Sequence, residues 1–166
     1  MQSLTCWVLT EGIAGTENQC LGIAEAMGVS PVIKRIKLKA PWKQLSPWLR
    51  WGHAYALTAD SSPLVPPWPD LIIASGRKSV GPALMIKHAS GGKTVLVQVQ
   101  DPKISSKNFD LVIAPQHDSV SGDNVLTTVA APNRITPEKL ETEKQKWLSR
   151  LSSIPSPRLA VLIGGN

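Results

Sequence analysis

The sequence predicts an α/β protein of the Rossmann-like kind, three layers built on a mostly parallel sheet. Three observations carry this. Short, almost wholly apolar runs such as Leu71-Ile72-Ile73-Ala74 alternate with helical patterns, as strands buried on both faces do. Two of these runs end in glycine turns that lead straight into helices, at Gly12 and at Gly76. Prolines cluster between the units, at Pro41 to Pro47, Pro63 to Pro69 and Pro155 to Pro157, where a residue without an amide donor marks a boundary.

Taken in order, Leu4 to Thr10 reads as a strand, Glu11 to Thr16 as a glycine loop and Glu17 to Met27 as a helix stopped by Gly28. Val32 to Leu38 alternates aliphatic with cationic residues, the pattern of a strand with one wet face. Ser46-Pro47 pairs an N-cap with a first-turn proline and predicts a helix through Trp48, Trp51 and Tyr55. A strand at Asp70 to Ser75, the turn Gly76-Arg77-Lys78-Ser79 and a helix through Ala89 repeat the opening theme. Strands follow at Lys93 to Gln100, Leu111 to Ala114 and Val125 to Val129. Thr136-Pro137-Glu138 opens a polar helix ending near Ser152. The order is βαβαβαβββα. Residues 1–153 are then one N-terminal domain, and 154–166 a linker plus the first strand and glycine turn, Arg158 to Asn166, of a second domain cut short.

Composition narrows the function classes. The chain has 166 residues, 42% of them hydrophobic, enough for one core. No apolar stretch approaches the roughly 20 residues of a membrane span, and Met1 to Leu9 lacks the cationic start of a signal peptide. Two cysteines and three scattered histidines give neither a disulfide framework nor a metal-ligand pair. A reducing cytoplasm, no metal and no cofactor are expected. The net charge of +6 is spread along the chain and no nucleic-acid motif occurs, so nucleic acid is not the expected partner.

The runs Trp7-x-Leu9-x-Glu11-Gly12-x-Ala14-Gly15-x-Glu17-Asn18-Gln19 and Pro69-Asp70-Leu71-Ile72-Ile73-Ala74-Ser75-Gly76-Arg77-Lys78-Ser79 stand in order with four further motifs. These are Gln98-x-x-Asp101-Pro102, Pro115-x-His117-Asp118, Ala131-Pro132-Asn133-Arg134 and Val161-Leu162-Ile163-Gly164-Gly165. Together they make the chain resemble the mitochondrial fission ELM-type family, whose bacterial members are often labelled nucleoside-diphosphate-sugar epimerases. Glu11 departs from the Asp more usual at that position. The resemblance implies the N-terminal, acceptor-side half of a two-domain GT-B-type glycosyltransferase-like protein, whose nucleotide-sugar donor would bind mainly to the second domain. It also implies an alternative, a noncatalytic membrane-associated adaptor that recruits a protein partner.

The residues themselves suggest where a ligand would sit. Gly12 and Gly15 let a ligand approach the backbone at a helix start, or serve only a tight turn. Glu17, Asn18 and Gln19 either cap that helix or touch the ligand, Glu17 being a candidate catalytic group. Gly76, Arg77, Lys78 and Ser79 give the strongest signal. Two cations at a helix start oppose its dipole unless an anion or a carboxylate neutralises them; the bland reading is a solvated turn. Asp101, His117 and Asp118 follow strands and should share the same rim, with His117 as a base oriented by Asp118 or a surface residue. Asn133 and Arg134 either close the cleft or cap the next helix. No acid occurs between Glu25 and Asp60, where Trp42, Trp48, Arg50 and Trp51 interleave aromatics with cations. That segment is either a peripheral membrane patch, placing the protein at the inner face of a membrane, or core packing.

Overall fold

The computed structural model describes residues 4–49, 52–161 and 163. The chain divides into two compact units, Met1–Arg134 and Ile135–Asn166.

In the first unit the strands are β1 (Cys6–Thr10), β2 (Val32–Arg35), β3 (Leu71–Ser75), β4 (Val95–Val99), β5 (Leu111–Pro115) and β6 (Val125–Thr128). They form one sheet in the order β2-β1-β3-β4-β5-β6, and every pairing is parallel. Alternation along the strands divides the core in two. Trp7, Leu9, Ile72, Ala74 and Leu96 pack with Val80, Ala83 and Ile86 of helix α4 (Val80–Ala89). Cys6, Val8, Leu71 and Ile73 pack with Cys20 and Ala24 of helix α1 (Ala14–Ala26). This is the expected three-layer α/β arrangement. Burial pushes the Cys6 and Cys20 thiols up to about 11 and 12, which makes them packing groups and not nucleophiles.

β2 is shorter than its alternation suggests. It is an edge strand that stops at Arg35; Ile36 and Leu38 beyond it are buried, and Leu38 bridges to Leu57 in antiparallel fashion. The helix expected from Ser46 is replaced by two single turns, α2 (Trp42–Leu45) and α3 (His53–Ala56). Ser46 closes α2 where it was expected to open a helix. Its backbone is extended and its hydroxyl is turned to the Arg77 carbonyl, 2.8 Å away. Trp48 and Tyr55 are 65% and 75% exposed, which removes the core-packing reading for both; Arg50 and Trp51 lie outside the described residues.

The second unit contains α5 (Pro137–Leu151), opened by Thr136, whose hydroxyl accepts the Lys139 amide at 3.3 Å. Its polar faces carry the Glu141–Lys144 and Glu143–Lys146 pairs, and the Lys146 and Arg150 cations lie over the Trp147 ring. Residues 158–161 and 163 adopt no regular structure, so the strand expected there does not form among the described residues. An isolated apolar run has no ladder partner to satisfy its backbone.

Candidate functional site

In a 2-1-3-4-5-6 sheet the chain leaves β1 toward one edge for β2 and returns to the other side for β3. The loops after β1 and β3 therefore diverge at a topological switch point, where open α/β sheets form ligand crevices. Those loops are Glu11-Gly12 and Gly76-Arg77-Lys78, brought to one edge by the parallel β1–β3 pairing. Both glycines have positive φ, +80° and +85°, a conformation that a side chain disfavours.

A cavity of about 320 Å³ opens at this edge. Glu11 and Lys78 line it from the two loops, Ile36, Lys37 and Leu38 from the segment after β2, Lys43 from α2, and Thr58 from the segment after α3. Glu11 and Lys78 form an ion pair across the switch point, with side chains only 19% and 23% exposed. Lys78, one of the two cations at the α4 start, is therefore neutralised by a carboxylate of the chain itself, whereas Arg77 is not paired with it. Lys37 is paired with Asp60 at 2.6 Å, and this bond, with one from the Thr58 hydroxyl, holds the Asp60 carboxyl down to about 2. Lys43 makes no side-chain hydrogen bond or ion pair among the described residues. With Lys37 paired to Asp60 and Lys78 to Glu11, the Lys43 ammonium is the surplus charge of the walls, and it favours an anionic ligand.

Among the described residues, only Lys78 of the site residues expected from the sequence lines this cavity. Gly12 and Gly76 shape it: a Cβ on Gly12 would lie 3.3 Å from the Arg35 stem, and one on Gly76 would lie 3.6 Å from Glu11 Oε2. Arg77 is exposed, and its guanidinium reaches only the Ser46 carbonyl, at 3.4 Å. The buried Ser79 hydroxyl donates to the Gly76 carbonyl at 2.7 Å and so serves the turn.

Glu17 is engaged as a clamp. Its buried carboxylate accepts two bonds from Arg35, at 2.8 and 2.7 Å, and one from the Thr10 hydroxyl at 3.1 Å. The Arg35 bonds, outweighing burial, hold its carboxyl below the ordinary value of 4.5. Gly15 has open space where a Cβ would sit. Gln19 keeps a buried Oε1 without a partner among the described residues.

Asp101 and Asp118 meet farther along the same edge, where the Asp101 amide donates to Asp118 Oδ2 at 3.2 Å. Burial raises the Asp101 carboxyl and the Lys103 bonds lower it further, leaving it below the usual carboxylate value. His117 is 77% exposed and 3.9 Å from Asp118, beyond hydrogen-bond range, so the two are not arranged as an oriented dyad. Asn133 and Arg134 do not reach the cavity. Arg134 pairs with Glu25 and reaches Asn18 Oδ1 at 3.5 Å, and the Asn133 carbonyl packs on Gly22, all on α1. Trp42 sits over Gly52, 3.2 Å from where its Cβ would be, one residue before Lys43.

Glu11, Lys37, Lys43 and Thr58 were not expected among the ligand-site residues by sequence reasoning. Glu11 carried a usable signal, an acid at the C-terminal end of a buried strand just before a glycine.

No helix of the described residues is long and apolar enough to cross a membrane, and no group of three His, Cys, Asp or Glu among them could hold a metal. The family model described as Mitochondrial fission ELM1 matches residues 14–166. A curated relative, the mitochondrial fission protein ELM1 of Arabidopsis thaliana, is 22% identical over 95% of this chain and 54% of its own length. The chain thus spans about half the length of that relative. No solved structure matches.

Proposed function

The chain belongs to the mitochondrial fission ELM1 family, and from that premise we propose that it is the acceptor-side half of a GT-B-type glycosyltransferase-like protein. The cationic cavity at the β1/β3 switch point carries this reading. It holds the phosphate of an acceptor, while a nucleotide-sugar donor is held mainly by a second domain. Two supports stand beside it: an all-parallel three-layer fold with its cavity at the C-terminal strand edge, and a relative of which the match covers only 54%, with room for that second domain. Exposed Leu45, Trp48 and Tyr55 next to Lys39 and Lys43 suit an anionic membrane surface. In this reading the acceptor is met at that surface.

The same exposed aromatics, with the name of the Arabidopsis relative, favour a second reading: a noncatalytic adaptor that sits on a membrane and recruits a protein partner. Nucleoside diphosphate release from a panel of nucleotide sugars separates the two. The enzyme reading expects release by a family member carrying both domains and none by this chain alone, because donor and acceptor meet only between domains. Release by neither favours the adaptor. Comparable release by this chain overturns the two-domain reading.

A further inference from the structure

Two side-chain polar groups of the cavity walls have no protein partner among the described residues. Lys37 and Thr58 are both engaged with Asp60, and Glu11 Oε1 with the Lys78 ammonium. Glu11 Oε2 accepts no hydrogen bond among the described residues, and the Lys43 ammonium has no partner among them. These functions are of opposite sense, a hydrogen-bond acceptor and a cation, in the walls of one small cavity.

A ligand that satisfies both must carry an anion and a donor. The donor has to be neutral, because a second ammonium beside Glu11 would face Lys78, already on that carboxylate, and the other lysines of the wall. A hydroxyl meets the requirement. The anion is best a compact dianion, since lysines act on phosphate as point charges. We propose that the cavity takes a hydroxylated phosphate monoester, its phosphate toward Lys43 and a neighbouring hydroxyl donating to Glu11 Oε2. This rests on the acceptor-site reading above and names the ligand class of that site. Glu11 is then the residue that selects a hydroxylated phosphate over a bare one.

Calorimetric titration with two matched probes tests it. Glycerol 1-phosphate and propyl phosphate differ only in the hydroxyls. The chain is expected to bind glycerol 1-phosphate about tenfold more tightly, the worth of one hydrogen bond to a charged group. In Glu11→Ala the preference is expected to vanish while propyl phosphate binds at least as well, because a negative charge has left the cavity. Glu11→Gln keeps the shape and a neutral acceptor, and is expected to fall between; its thermal unfolding checks that the fold is retained. Lys43→Ala is expected to weaken both probes alike. Equal affinity of the unaltered chain for the two probes, or a preference that survives Glu11→Ala, overturns the inference and leaves the acceptor site standing. Failure of both probes to bind overturns the acceptor site as well.

Discussion

Glu17 holds three pieces of the edge together, because its buried carboxylate accepts bonds from Thr10 at the end of β1 and from Arg35 at the end of β2 while itself belonging to α1. Arg35 is mostly solvated, so most of the cost of breaking the pair falls on the buried partner's site. Replacing Glu17 with Gln should lower stability at neutral pH by about 1–3 kcal/mol, the range for losing charge-assisted hydrogen bonds at a buried group. The carboxyl's folded value lies below its ordinary 4.5, so the stabilisation is complete above 4.5 and is lost as pH falls through the lower folded value. Urea unfolding of the two proteins should show a gap at neutral pH that closes in acid. A gap of the same size at both would contradict the clamp.

Gly22 makes the analogous case for a whole element. It lies in the middle of α1, where alanine is favoured over glycine by about 1 kcal/mol from helix propensity. A Cβ there would sit 2.3 Å from the Asn133 carbonyl oxygen and 2.7 Å from its carbon. Backbone cannot yield as a flexible side chain can, so Gly22→Ala should destabilise the chain by about 1–3 kcal/mol and detach the segment carrying Arg134 from α1. Gly15→Ala in the same helix meets open space and should be neutral or slightly stabilising. Thermal unfolding of the two variants gives opposite signs if this is right. Two shifts of the same sign would mean that propensity, and not the Asn133 contact, governs Gly22.

At this scale the limits of the sequence are also plain. β1 and β3 were legible because all five residues of each are buried, and each is an apolar run up to its last residue, Thr10 or Ser75. The region of α2 and α3 was not. Ser46-Pro47 has the local chemistry of a helix start, yet the Ser46 hydroxyl is taken by the Arg77 carbonyl, a tertiary partner that no local pattern encodes. The charge on the α4 start shows the same limit. The need for a neutralising anion was readable from Arg77-Lys78, but its source, Glu11, stands 67 residues away in sequence.

The whole first unit acts as a frame for one cavity. Six parallel strands bring every βα loop to one edge, and the reversal between β1 and β3 leaves a gap that the segments after β2 and α3, with α2, wall in with lysines. That is why Lys43 and Lys78, distant in sequence, line one cavity, and why Gly12 and Gly76 lie in the loops beside it. Asp101 and Asp118 share the edge but lie along β4 and β5. Nuclear magnetic resonance of the isotope-labelled chain titrated with glycerol 1-phosphate separates these regions residue by residue. Amide shifts are expected to concentrate at Glu11, Gly12, Gly76, Lys78 and Lys43. Shifts confined to the Asp101–Lys103 and His117–Asp118 loops, with Gly12, Gly76 and Lys43 unmoved, would contradict that placement of the ligand.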